Sequence, residues 1–217
     1  MEIDLLKSYP KLKRNTNDRA SSKTDNDQII ARQFGQDFFD GDRRHGYGGY
    51  YYDKKYWSPV VPDFMNFYKL NSQSKVLDIG CGKGFFLYDL VNLIPGISIS
   101  GVDISSYAIN HSLSSIRPFL KVCDAKNLPY DDNYFDLVVS INTIHNLDKS
   151  ACESAVREIE RVSKGDSYIT VDAFRTEEEE LRMEEWNLTA KTFMHVDEWK
   201  KFFNCAGYTG DYFWFIP

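Results

Sequence analysis

Lys75-Val76-Leu77-Asp78-Ile79-Gly80-Cys81-Gly82-Lys83-Gly84 is a short apolar run closed by three glycines at alternate positions. The residues after it, Phe85, Phe86, Leu87, Leu90, Val91 and Ile94, repeat at helical spacing. Together they read as strand, tight turn and helix, the opening of an open, mostly parallel α/β sheet. Glycines in such a turn permit unusual backbone angles and close approach of a ligand, and the start of the helix offers free N–H donors. A dinucleotide fingerprint is excluded, because Phe85 stands where G-x-G-x-x-G needs its third glycine, and no G-x-x-x-x-G-K-[ST] loop is present. Asp78 gives the turn an acceptor suited to polar or cationic groups rather than to a pyrophosphate.

The pattern continues outward from this turn. Strands are expected near Lys75 to Ile79, Ile97 to Val102, Phe119 to Cys123, Phe135 to Ile141 and Ser167 to Asp172. Helices fill the intervals except for an irregular loop from Lys126 to Asn133. Ala151, Ala155, Ile159 and Val162 recur every three or four residues and can cover one sheet face, with Gly165 placed to end the helix. A further helix is expected from Val196 to Ala206, stopped by Gly207, and Tyr208 to Ile216 reads as an aromatic strand. Two more acids follow strand ends. Asp103 stands where nucleoside-binding α/β folds place a carboxylate on the ribose hydroxyls. Asp124 follows the third strand, where it can accept from an adenine amino group while Ala125 offers its backbone N–H.

With these residues in order, the chain resembles the class I S-adenosylmethionine-dependent methyltransferases. The resemblance rests on VLDIGCGKG at 76 to 84, GVDIS at 101 to 105, CDAKNLPYDDNYFDLVVS at 123 to 140 and REIERVSKG at 157 to 165, and covers Lys75 to Ala173. It implies a Rossmann-like fold with S-adenosylmethionine as cofactor and S-adenosylhomocysteine as product. Asp78, Gly80, Cys81, Gly82 and Gly84 are expected near the methionine moiety, Asp103 and Ile104 by the ribose, Asp124 and Ala125 by adenine, and Asn142 in the pocket wall. The family's sheet has seven strands with one antiparallel hairpin at its edge. Here only one convincing strand follows the helix at 196 to 206, which puts that hairpin in doubt.

Residues 1–58 are expected to form an N-terminal arm and cap, and 59–217 the methyltransferase domain. Up to Asp27 the chain is polar and charged, a flexible arm unless something covers it. Ile30, Phe34 and Phe38 then predict one short helix. Tyr47, Tyr50, Tyr51 and Tyr52 surround Gly48 and Gly49, flat faces suited to a lid or to a wall of the acceptor site. Ligand is expected to order this cap.

Methyl transfer from a sulfonium is an in-line displacement, so the protein must align the acceptor, exclude water and remove a proton where needed. His145, just beyond the fourth strand, is the candidate base. Tyr47, Tyr50, Tyr51 and Arg175 are candidate acceptor contacts, Arg175 for a phosphate or carboxylate. A weaker resemblance of the arm, GYGGYYYD and DYFWFIP to small methyltransferases of bacterial surface-polysaccharide and small-metabolite pathways implies a sugar derivative or a phosphorylated amine such as phosphoethanolamine. The alternatives are a protein substrate, or a non-catalytic protein that only binds the cofactor.

Composition narrows the partners. A net charge of -6 offers no broad attraction for a phosphate backbone or an anionic membrane. No apolar stretch is long enough for a signal or a bilayer span. The cysteines, Cys81, Cys123, Cys152 and Cys205, are too scattered for a zinc site or a disulfide framework, so no metal and a reducing cytoplasm are expected.

Overall fold

A computed structural model describes residues 1–10 and 23–217 of the chain. At its centre lie β1 (Lys75–Ile79), β2 (Ser98–Asp103), β3 (Leu120–Val122), β4 (Leu137–Ile141) and β5 (Ser167–Phe174). They are ordered β3-β2-β1-β4-β5, with every pairing parallel. Val76, Leu77 and Leu137 to Val139 have almost no exposed surface, as strands covered on both faces should. The order reverses between β1 and β4. The loops leaving those strands therefore diverge and leave a crevice at the carboxyl end of the sheet.

The far edge departs from the family pattern. β6 is only Met194–His195 and pairs with the last residues of β5, and β7 (Asp211–Phe215) pairs in parallel with Tyr168 to Asp172 of the same strand. The doubted antiparallel hairpin is therefore absent among the described residues. The chain returns to β5 through a helix instead, and β7 runs parallel to it like the other strands of the sheet. β6 escaped the sequence reading because two residues carry no periodicity.

Helices cover both faces. On one side, α7 (Lys149–Val162) buries Cys152, Ala155, Val156, Ile159 and Val162, and α9 (Val196–Ala206) buries Trp199, Phe202 and Phe203. The Asp148 carboxylate caps α7 at the Ala151 amide, and Gly207, at φ +78, ends α9. On the other side α4 (Val61–Phe67) and α5 (Phe85–Leu93) bury Phe64, Phe86 and Leu90. Short α6 (Ser106–Asn110) follows β2, and α8 (Glu177–Trp186) follows β5.

The N-terminal region differs from the flexible arm expected for it. Glu2 bridges to Tyr212 of β7, and the Leu5 side chain is buried. The Tyr168 hydroxyl accepts from the Leu5 amide and donates to the Ile3 carbonyl. Residues 11–22 of the expected arm lie outside the described residues. The single helix expected from Ile30 is two, α1 (Asp25–Ala31) and α2 (Gln36–Asp40), parted by Phe34 at φ +49. A left-handed residue between them turns the chain and breaks the apolar stripe. α3 (Lys54–Trp57) completes the region before α4.

Candidate functional site

The glycine turn is stitched to the neighbouring strand. Gly80 and Cys81 donate their amides to the Val102 carbonyl at 2.7 and 3.0 Å, and Gly84 donates to Cys81 at 2.8 Å. Gly80, Gly82 and Gly84 all have positive φ. At Gly80 a Cβ would stand 2.1 Å from Thr143 Oγ1, so the turn after β1 and the loop after β4 pack without a gap. Gly80→Ala is expected to destabilise the fold by about 2–4 kcal/mol, strain and overlap together; equilibrium denaturation within about 0.5 kcal/mol of wild type would show that the two loops part readily. α5 begins without any side-chain cap, which leaves its first amides to the crevice. Cys81 points away into the core, and burial pushes its thiol up.

The acids stand as the strand ends place them. Asp103 accepts the Gly82 amide at Oδ2 (2.7 Å) and the Ser105 amide at Oδ1 (2.8 Å), so one carboxylate orders both loops while each oxygen keeps a second lone pair. Burial raises its pKa against the pull of those two bonds. Asp78 is 5% exposed and has no hydrogen-bond partner among the described residues. Burial, followed by the charge of Asp103, pushes its carboxyl up to about 8. A buried acid with nothing to accept from is costly unless a ligand supplies a donor or a cation. Ile104, beside Asp103, leaves 58% of its surface exposed. Asp124 and Ala125 are half-buried; Asp124 accepts the Lys126 amide at 3.0 Å and lies 3.3 Å from the Lys126 ammonium. Arg161 holds the irregular loop beyond them through the Leu128 and Tyr130 carbonyls, Glu158 and Asp132.

Across the crevice, Asn142 adopts φ +51, a conformation asparagine tolerates. Its amide donates to Thr170 Oγ1, and its own Oδ1 accepts from that hydroxyl, both at 2.9 Å. His145 is 4% exposed, in a 3-10 turn at Ile144–Asn146. Its Nδ1 takes the Asp172 amide at 3.0 Å. A backbone amide can only donate, so Nδ1 must accept and the ring proton sits on Nε2. Burial lowers the ring's pKa, with Asp172 pulling the other way. In this tautomer the ring's lone pair is engaged by the Asp172 amide, and a base role for His145 would need that bond to open. The His145 carbonyl also accepts the amides of Lys191 and Thr192, which ties the segment before β6 to the site.

The aromatic segment is docked over the turn. A Cβ on Gly82 would meet the Tyr50 ring at 3.4 Å and Phe39 at 3.6 Å. Tyr50 also packs on Tyr47 (4.3 Å between centroids) and Phe85 (4.9 Å). Burial pushes its phenol up, with Tyr47, Tyr9, Asp78 and Asp103 adding to the effect. Tyr47 and Tyr51 stay exposed at 47% and 73%. The same segment reaches the far side through Gln28 and Arg32, whose side chains donate to the carbonyls of Asn187, Thr189 and Ala190. Arg175 stands apart at the end of β5, exposed and 3.4 Å from Glu2. Its hydrogen bonds among the described residues go to Glu2, Glu179 and His195, away from the crevice residues above. Two residues passed over in the sequence meet here, Asp40 and Lys83; the one signal was a lysine inside a glycine turn that closes onto the core.

A family model described as a methyltransferase domain matches residues 70–207. The tRNA (carboxymethyluridine(34)-5-O)-methyltransferase of Arabidopsis thaliana is 33% identical over 144 residues, 65% of this chain and 33% of that protein. Phosphoethanolamine N-methyltransferase 3 of the same plant is 33% identical over 98 residues, 42% of this chain and 20% of the relative. The chain thus spans a third or less of the length of these two relatives. Among solved structures, the YcgJ protein of Bacillus subtilis superposes with a TM-score of 0.54 at 21% identity, covering 67% of this chain and 66% of that one. That likeness concerns the fold. No helix among the described residues is long and apolar enough to cross a membrane.

Proposed function

This chain belongs to the class I S-adenosylmethionine-dependent methyltransferases, and from that premise we propose that it methylates a small acceptor, a phosphorylated amine or a sugar derivative. The observation that carries the donor site is Asp78, a buried carboxyl with no hydrogen-bond partner among the described residues, beside a glycine turn and a second acid. When bound, the sulfonium supplies an activated methyl group for in-line displacement. Asp78 would accept from the cationic methionine end, with the backbones of Gly80, Gly82 and Gly84 alongside. Asp103 would use its spare lone pairs on the ribose, Ile104 would lie under the base, and Asp124 and Ala125 would meet its amino edge. Asn142 closes the wall. Residues 1–58 act as the cap over residues 59–217, and Tyr47, Tyr50 and Tyr51 border the acceptor; Arg175, already paired with Glu2, is left out of that set.

For the acceptor, the phosphoethanolamine relative supports an amine phosphate, and the net charge of -6 argues against a polynucleotide. The test is a transfer screen with labelled S-adenosylmethionine over phosphoamines, sugar derivatives and tRNA. Label on tRNA alone would overturn the small-acceptor reading.

Asp78 also sets a pH dependence. Binding a cationic group selects the carboxylate, which the free protein holds protonated below about 8. Affinity for S-adenosylhomocysteine should therefore climb by up to about tenfold per unit as pH rises from 6 toward 8, then level off. Asp78→Asn should flatten the slope. A pH-independent dissociation constant in the wild-type protein, measured by calorimetry, would remove Asp78 from the cation's contacts.

A further inference from the structure

A largely buried polar junction lies between the cap and the glycine turn. Lys83 is 3% exposed, and its Nζ reaches both oxygens of Asp40, at 2.9 and 2.7 Å. The same carboxylate accepts the Tyr50 amide at Oδ1 (2.9 Å) and the Tyr107 hydroxyl at Oδ2 (2.7 Å). Four bonds from three donors, one on each of three separate segments, thus converge on one side chain at the end of α2. Lys83 belongs to the turn after β1. Tyr107 lies in α6, four residues beyond Asp103. Tyr50 carries the ring that rests on Gly82. Each of these segments contributes to the proposed donor pocket, and none of the three donors is itself required by the strand-turn-helix pattern.

Burying a lysine and an aspartate costs several kcal/mol in desolvation, and a well-packed apolar pair would often serve stability as well or better. The four bonds do offset that cost: Lys83 and the other donors hold the Asp40 carboxyl below its usual range although burial pulls it upward. A charged junction placed between two loops that a nucleoside must touch has a second use, because it fixes their spacing and the height of the Tyr50 ring above them. An apolar contact would let the ring slide.

We propose that Asp40 is a positioning residue of the donor site, its one carboxylate setting the glycine turn, the start of α6 and the Tyr50 ring at the spacing that the cofactor requires. This rests on the donor reading above and extends the site into the N-terminal cap. Asp40 acts through Lys83, Tyr50 and Tyr107, without touching the donor. Removing it should loosen donor binding beyond what any loss of stability explains.

The test separates the two effects. Melting temperature and S-adenosylhomocysteine affinity are measured for wild type, Asp40→Leu, Lys83→Met and the double variant. Each single variant strands a buried partner and should melt lower. The double variant has no stranded charge and should recover most of the melting temperature. Its affinity should nevertheless stay on the order of tenfold weaker, within the usual range of coupling between sites, with faster amide exchange at Gly82 and Tyr50. A double variant that binds as tightly as wild type would reduce the junction to a stability element and overturn the proposal. Wild-type protein that binds no S-adenosylhomocysteine would instead sink the donor reading. Should the double variant fail to fold, Tyr107→Phe carries the test by deleting one hydroxyl from the same carboxylate: a weaker affinity at unchanged melting temperature supports the proposal, and an unchanged affinity overturns it.

Discussion

His145→Ala should lower turnover on the order of 10²-fold, the cost of losing one positioned group at a reacting centre, while leaving S-adenosylhomocysteine affinity within about twofold. The reason is the ring's tautomer. Nδ1 accepts from the Asp172 amide, so the ring proton sits on Nε2 and burial favours the neutral ring; we propose that Nε2–H orients the acceptor. His145→Gln also has an N–H to donate and should recover most of the lost rate. Because burial holds the ring's pKa below 6.5, the wild-type profile should show no limb between pH 6.5 and 8 that belongs to this residue. The comparison is kcat for the three proteins on an acceptor found in the screen, across that range. A Gln variant as slow as Ala, together with a rate that climbs through the ordinary histidine range, would restore His145 as a base. Stability follows the same sign. The unfolded ring takes up a proton near 6.5 and the folded one does so only at lower pH, so the fold should lose stability as pH falls through that interval and no further once both forms are charged.

Asp103→Ala should weaken S-adenosylhomocysteine binding by about 1–3 kcal/mol, roughly 5- to 150-fold. Two losses combine. The proposed ribose bonds go, and so does the carboxylate that orders the Gly82 and Ser105 amides. Asp103→Asn separates them, since its single carbonyl oxygen can still hold one amide but offers no charge to the ribose; it should fall between wild type and Ala. Calorimetric titration of folded variants is the measurement. An Ala variant that binds like wild type would take the ribose away from Asp103 and leave that residue only its loop contacts.

The central body was legible because its information is local. β1 matches the apolar run from Lys75, and β2 and β5 begin and end within one or two residues of their expected limits. Trouble began wherever the decisive contact was distant. The Val196–Ala206 helix and the strand after it match the sequence reading, whereas the strand's direction is not written there: Tyr212 and Trp214 pack on Phe203 in a parallel crossover that no turn motif announces. The polar opening residues looked unable to bury themselves until Tyr168, an internal strand residue, supplied the hydroxyl that holds them.

By itself the sequence determined the strand-turn-helix at 75–93, the positive-φ glycines and the acids at or near the carboxyl ends of the first three strands. Each of these is a requirement of the backbone over a few residues: φ sterics at a turn, hydrophobic covering of a parallel strand, and the fixed place where a strand ends. Tertiary structure alone decided that the His145 ring accepts the Asp172 amide, that Arg175 pairs with Glu2, and that Asp40 meets Lys83. Those outcomes join residues 27, 173 and 43 positions apart. Burial at such junctions sets hydrogen-bond direction and charge state, and burial is a property of the assembled core, which no local pattern encodes.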